Sequence, residues 1–110
     1  MDKKIISTEK APQAIGPYSQ AIVANGFLFT SGMVPIDPAT NQLVEGDITV
    51  QAKQAISNLK NLIEASGSSC DKVVKTTVFI KDMNDFGKIN EIYAEYFKDA
   101  CPARSCVEVA

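Results

Sequence analysis

Apolar residues recur at two different spacings along this chain, and the changes of spacing mark out its elements. Tyr18 to Ala24 alternates, Asn25-Gly26 interrupts, and Phe27 to Ser31 resumes with apolar and β-branched residues. An Asn-Gly pair tolerates the positive φ of a type I′ turn, so the pattern predicts a hairpin. Lys4 to Ser7 reads as a short strand ahead of it, and Ala11 to Pro17 as a loop broken by Pro12, Gly16 and Pro17. Gly32 to Gly46 carries Pro35 and Pro38 and reads as a long loop with a turn at Asp37-Pro38. A loop of that length is a candidate for lining a site or an interface.

The period then changes to three and four. Ile48, Ala52, Ala55, Ile56, Leu59, Leu62 and Ile63 make one stripe, predicting a helix from a cap at Asp47 or Thr49 to about Ser66, with Gly67 as its stop. Gln51, Lys53, Gln54, Asn58, Lys60 and Asn61 form the opposite, polar face. From Lys72 to Lys81 alternation returns. Val74, Thr76, Val78 and Ile80 face the helices, whereas Val73, Lys75, Thr77 and Phe79 form a mixed face suited to another subunit. Asn84 or Asp85 caps a second helix running to about Lys98, with Phe86, Ile89, Tyr93, Tyr96 and Phe97 as its stripe and Asn90 at the edge.

Pro102 cannot extend that helix, and Val107 and Val109 read as strand. Alternation there places Arg104, Cys106 and Glu108 on one side and Ser105, Val107 and Val109 on the other. The element order predicts an α+β or α/β layer with both helices on one face of a sheet. Two helices cover one face only. Phe27 and Phe29, or Leu28 alternately, with Phe79 and Val73, leave the other face to a partner, so a homo-oligomer is expected.

Composition narrows the chemistry. The 110 residues, 45% hydrophobic and 22% charged, fit one soluble domain spanning 1–110. No apolar run matches a membrane span, and the first residues carry no export pattern, so a cytoplasmic location with no membrane partner is expected. Cys70, Cys101 and Cys106 cannot all pair within one chain and read as free thiols. The absence of histidine removes His-based general bases and most catalytic zinc sites, so no metal is expected. The net charge is −2 and the basic residues are scattered, which disfavours a nucleic-acid partner.

One residue stands out against this background. A guanidinium at the start of an apolar strand is partly desolvated and needs a partner, best a planar carboxylate gripped bidentately. For Arg104 that partner is either a salt bridge within the protein or a ligand. Asn90, if buried, needs hydrogen bonds of its own. Read from the residues alone, Tyr18 caps the hairpin, Ser31 ends a strand and Gly32 serves a turn.

Several stretches together resemble the RidA (YjgF) family of reactive-intermediate deaminases. They are Ala14-Ile15-Gly16-Pro17-Tyr18-Ser19-Gln20-Ala21, Thr30-Ser31-Gly32, Val74 to Phe79, Asn84-Asp85-Phe86 through Asn90, and Pro102 to Val109. The resemblance implies a chorismate-mutase-like α+β fold with two helices on one face of a mixed sheet. It also implies a homotrimer with a central barrel and clefts shared between neighbouring subunits.

The implied activity is hydrolysis of 2-imino or enamine acids to 2-keto acids and ammonia, with no cofactor. The small-molecule substrates include 2-aminoacrylate, released by pyridoxal-phosphate-dependent dehydratases. Carried over residue by residue, Arg104 clamps the substrate carboxylate, Tyr18 walls the pocket, and Ser31, Gly32 and Asn90 line it. Cys106 contributes backbone groups that hold the water rather than a nucleophilic thiol. The family continues past the position of Ala110 with a strand bearing a water-activating glutamate; the sequence given stops short of it, and a chain cut short is expected rather than an evolved loss. Glu108 does not occupy that position. A non-catalytic trimeric ligand-binding module is the alternative, and an RNA-cleaving translation inhibitor is disfavoured.

Overall fold

The computed structural model describes residues 2–110. Asn25 and Gly26 take φ of 52° and 81°, the doubly positive pair that a type I′ turn demands. They join β2 (Ala21–Ala24) to β3 (Phe27–Thr30), and β1 (Lys3–Ile6) pairs antiparallel on the other side of β2. The long loop is not wholly irregular. Ile36–Asp37 (β4) and Gln42–Leu43 (β5) form a small hairpin, with Asn41 at φ 61° and the Asp37 carboxylate accepting from the Ala39 N–H.

Helix α1 (Ile48–Ala65) starts where Asp47 accepts from the Val50 N–H, and Gly67 beyond its end takes φ 89°. The sequence reading of its polar face needs one correction. Asn58 is 0% exposed: its amide donates to the Val34 and Ile36 carbonyls at 3.0 and 2.7 Å and accepts from Gln54 at 2.9 Å. The β4 loop folds over Asn58, so one residue expected to face water instead ties down a loop, while Lys53 and Lys60 of the same face stay exposed.

The strand expected from Lys72 is shorter. A 3₁₀ turn at Cys70–Lys72 leads into β6 (Lys75–Ile80), so strand parity does not reach Val73 and Val74, and Val74 is exposed. Within β6 the parity holds. Thr76 and Val78 are half-buried and Ile80 is buried, while Lys75, Thr77 and Phe79 are exposed.

A second 3₁₀ turn, Met83–Asp85, precedes α2 (Phe86–Tyr96). The expected cap from Asn84 or Asp85 is absent; Asp82 accepts from the Asn84 N–H and Asp85 makes no capping bond. Strand β7 (Ala103–Glu108) runs parallel to β6, with Thr76 opposite Arg104 and Val78 opposite Cys106.

Ile6, Ala11, Ala21 and Leu62 form a buried cluster against which Val23, Leu28 and Met33 pack, so β2 and β3 send one face toward α1. Ile80, Ile89, Ile92 and Phe97 are buried about α2. The two helices pack on each other, joined by Ser57 to Tyr96 at 2.5 Å.

The strands do not form one continuous mixed sheet among the described residues. The three-stranded antiparallel sheet and the parallel β6–β7 pair are not hydrogen-bonded to each other. The alternation left open at Phe27–Leu28–Phe29 resolves with Leu28 inward. Phe27 and Phe29 are then outward, as are Phe79 and Val107, on faces that no helix covers.

Candidate functional site

Parity on β7 puts Arg104 and Cys106 on the same side as Thr76 and Val78, under α2. The Arg104 guanidinium lies over two rings of that helix, 5.2 Å from the centre of Phe86 and 4.7 Å from that of Tyr93. Those residues are seven apart, two turns along one helix face, and Asn90 lies between them. The Tyr93 hydroxyl bonds Thr76 Oγ1 at 2.7 Å and the Tyr93 ring packs on Phe97, so the aromatic cradle is held from two sides.

The guanidinium itself has no ion-pair partner and no hydrogen bond among the described residues. Facing π-systems stabilises a cation without using its N–H groups, so Arg104 is positioned while its fork stays free for a planar acid. Asn90 Oδ1 is buried without a hydrogen-bond partner, which is rare enough to need a cause. Glu108, on the same strand face, is occupied: its carboxylate accepts from the Met83 N–H at 2.7 Å.

The second group lies at the hairpin. Tyr18 is half exposed and its hydroxyl faces the Ile15 N–H at 3.5 Å. Ser31 donates its hydroxyl to the Ser19 carbonyl at 2.7 Å, leaving its oxygen lone pairs for a ligand. Gly32 takes no positive φ, and a Cβ there would meet nothing within 4 Å, so neither a turn nor packing within the chain demands a glycine.

Gln20 organises the region. It is 3% exposed, accepts from the Thr8 N–H at 2.7 Å, and donates toward the carbonyls of Thr8, Ala11 and Pro12. One buried amide thus straps residues 8–12 to the start of β2. Tyr18 lines two hollows. One is an open cleft edged by Thr30 and Ser31; the other is a cavity of about 180 Å3 between the strap and the loop after β3.

Against known proteins, the family described as Endoribonuclease L-PSP matches residues 8–110. The chain belongs to the RidA family. A mouse relative named 2-iminobutanoate/2-iminopropanoate deaminase is 51% identical over 98% of this chain and 80% of its own length. A crystal structure of a Rid-family protein of unknown function from Yersinia pestis aligns with a TM-score of 0.95 at 50% identity, covering 98% of this chain and 86% of that one. The structure of Escherichia coli TdcF with bound serine aligns at 0.91 and 44% identity, covering 97% and 86%.

Of the residues that the RidA resemblance nominates, the single chain brings Arg104, Cys106 and Asn90 together, and separately Tyr18, Ser31 and Gly32. The first group belongs to β7 and α2 and the second to the loops flanking β2 and β3, and neither hollow at Tyr18 is lined by Arg104. Sequence reasoning missed the supports. Phe86 and Tyr93 were expected only as core, and their seven-residue spacing around Asn90 was the available signal. Gln20, opening an apolar strand, was the signal for the strap.

Burial, with Glu64 next, pushes the Cys70 thiol above the ordinary range; it lies in the turn before β6, outside both groups. Among the described residues no helix is long and apolar enough to cross a membrane.

Proposed function

We propose that this protein is a cytoplasmic deaminase that hydrolyses 2-imino and enamine acids to 2-keto acids and ammonia, removing the reactive products of dehydratases. It would act as a homotrimer whose clefts pair Arg104 of one copy with Tyr18, Ser31 and Gly32 of the next. The observation that carries this reading is the Arg104 fork, half-buried over two aromatic rings with no anion beside it. A desolvated cation of that kind is stabilised by binding a carboxylate. The names of the curated relatives and the serine bound to TdcF support an amino-acid-like ligand. The uncovered faces bearing Phe27, Phe29, Phe79 and Val107 support burial against further copies.

In this scheme Arg104 grips the substrate carboxylate and holds the adjacent iminium carbon in reach of water. Water adds its oxygen to that carbon while the C=N electron pair moves to nitrogen. A proton passes from the added water to nitrogen, the C–N bond breaks to release ammonia, and the hydroxyl's remaining proton leaves to solvent as the carbonyl forms. Backbone groups at Cys106 hold the water, and Asn90 Oδ1 accepts a hydrogen bond from substrate or water.

A second reading, a trimeric ligand-binding module without turnover, is favoured by one observation. Glu108, the carboxylate that shares the Arg104 strand face, has one oxygen bonded to the Met83 N–H, which turns it toward the start of the turn before α2.

The deciding assay generates 2-aminoacrylate with a dehydratase and follows ammonia and pyruvate. Faster release that Arg104→Ala abolishes is expected. Wild-type protein that binds a 2-keto acid but leaves the rate unchanged would establish the second reading instead.

A further inference from the structure

We propose, building on the deaminase reading, that the cavity beside Tyr18 receives the substrate's side chain. The protein is then matched to imino acids with alkyl chains of about three to four carbons, beyond the single methyl of the C3 compound. The cavity holds about 180 Å3 and its apolar walls are Pro12, Ile15, Tyr18, Met33, Val34 and Ile36. An apolar cavity of about 150 Å3 admits a six-carbon ring. One methyl group would leave most of this space unfilled.

Two further features fit an amphiphilic ligand. Tyr18 is shared between this apolar cavity and the cleft edged by Thr30 and Ser31. A molecule lying across its ring meets hydroxyl and peptide groups on one side and hydrocarbon on the other. Two of the three amide side chains at the cavity are engaged, since that of Gln13 donates to the Thr8 carbonyl and that of Gln20 is committed to the strap, while Asn41 lies at the edge.

The space is also held open. Gln20 pins the backbone of residues 8–12 on one wall, and Asn58 pins Val34 and Ile36 on the other. Buried amides whose bonds are all made resist collapse of the loops they hold, because moving a loop would strand them. Ile15, 86% exposed, stands at the rim where it can close over a bound chain.

The test measures kcat/KM for imino acids made in place by an amino-acid oxidase from alanine, 2-aminobutyrate, norvaline and leucine. For wild-type protein kcat/KM should rise by roughly tenfold or more from the C3 to the C5–C6 substrates, the low end of methylene discrimination in an apolar pocket. Val34→Trp, at an exposed wall position, should remove that gain and leave the C3 rate within about threefold. Ile15→Ala, at the exposed rim, should weaken the long-chain substrates alone, through KM.

If all four substrates are hydrolysed but their ratios do not move in either variant, the cavity is not the side-chain site and the inference fails while the deaminase reading stands. If wild-type protein hydrolyses none of them, the deaminase reading fails and takes this inference with it.

Discussion

Arg104 is aimed by regular structure, whereas Tyr18 is aimed by loops that buried amides tie down. On β7 the side chain leaves a strand whose parity is set by its ladder with β6, and the rings of α2 receive it. Around Tyr18 there is no ladder to set direction. Position comes from Gln20 gripping residues 8–12 and from Ser31 bonding the Ser19 carbonyl. The first arrangement leaves its polar groups unspent, both the Arg104 fork and Asn90 Oδ1. The second spends its buried polar groups almost entirely on itself. A group kept for a ligand is therefore recognisable by what it does not bond, and a supporting group by how fully it is satisfied.

This contrast makes removal of Arg104 the largest expected effect. Arg104→Ala should lower kcat/KM by about 30- to 5,000-fold, corresponding to about 2–5 kcal/mol of lost charge-assisted binding. Urea unfolding should shift much less, by about 0.5–2 kcal/mol for the lost cation–π contact. Arg104→Lys should rescue poorly, since an ammonium cannot reproduce a planar two-point grip. Tyr18→Phe, which removes only a hydroxyl, should cost about tenfold. Equal losses from Arg104→Ala and Tyr18→Phe would break the distinction between anchor and wall.

Because Arg104 lines neither hollow at Tyr18 within one chain, the proposed trimer can be tested by mixing. Arg104→Ala and Tyr18→Ala copies, each inactive alone, are unfolded together and reassembled. Random assembly leaves about a quarter of the shared clefts with both native side chains. Recovery of activity near that fraction supports clefts built from two copies. No recovery, with mixed trimers shown to form, sinks them.

The supports behave in the opposite sense. Gln20→Leu strands one peptide N–H and three carbonyls and Asn58→Leu two carbonyls, and each should cost about 2–4 kcal/mol of stability by urea unfolding. That is a large part of the 5–15 kcal/mol typical of a folded domain. Their effect on turnover should follow loop order and appear first in KM. Unchanged stability in both variants would show that the hollows are not held open by these amides.

How much of this could be read from the chain depends on which physical rule sets each feature. The Asn25-Gly26 turn, the stripe of α1 and the side on which Arg104 emerges follow from local rules of φ, period and parity, and each was legible. The 3₁₀ turn at Cys70–Lys72 that shortens β6 was not, because its residues carry no signal separating it from a strand start. Asn58 was assigned to a solvent face for a related reason. Helical periodicity gives the direction a side chain points but not whether a distant loop comes to cover it. Resemblance nominated Arg104, Tyr18, Ser31, Gly32, Asn90 and Cys106, yet the strap and the aromatic cradle that position them had to be seen in three dimensions.

Asn90 carries the smallest expected change in stability and the sharpest use of the contrast. Its oxygen is buried and bonds nothing, so replacing the amide by an apolar group of similar size removes an unpaid desolvation. Asn90→Leu should leave unfolding free energy within about 1 kcal/mol of wild type, or raise it slightly. The same change should weaken substrate or 2-keto-acid binding about tenfold, because a polar contact kept for the ligand is gone. Tyr93→Phe is the matched control. It breaks the bond to Thr76 and should cost about 0.5–1.5 kcal/mol of stability while keeping a ring beneath Arg104. If Asn90→Leu destabilised the protein as Gln20→Leu is expected to, its amide would be structural after all, and the Arg104 cradle would differ from the Tyr18 loops only in secondary structure.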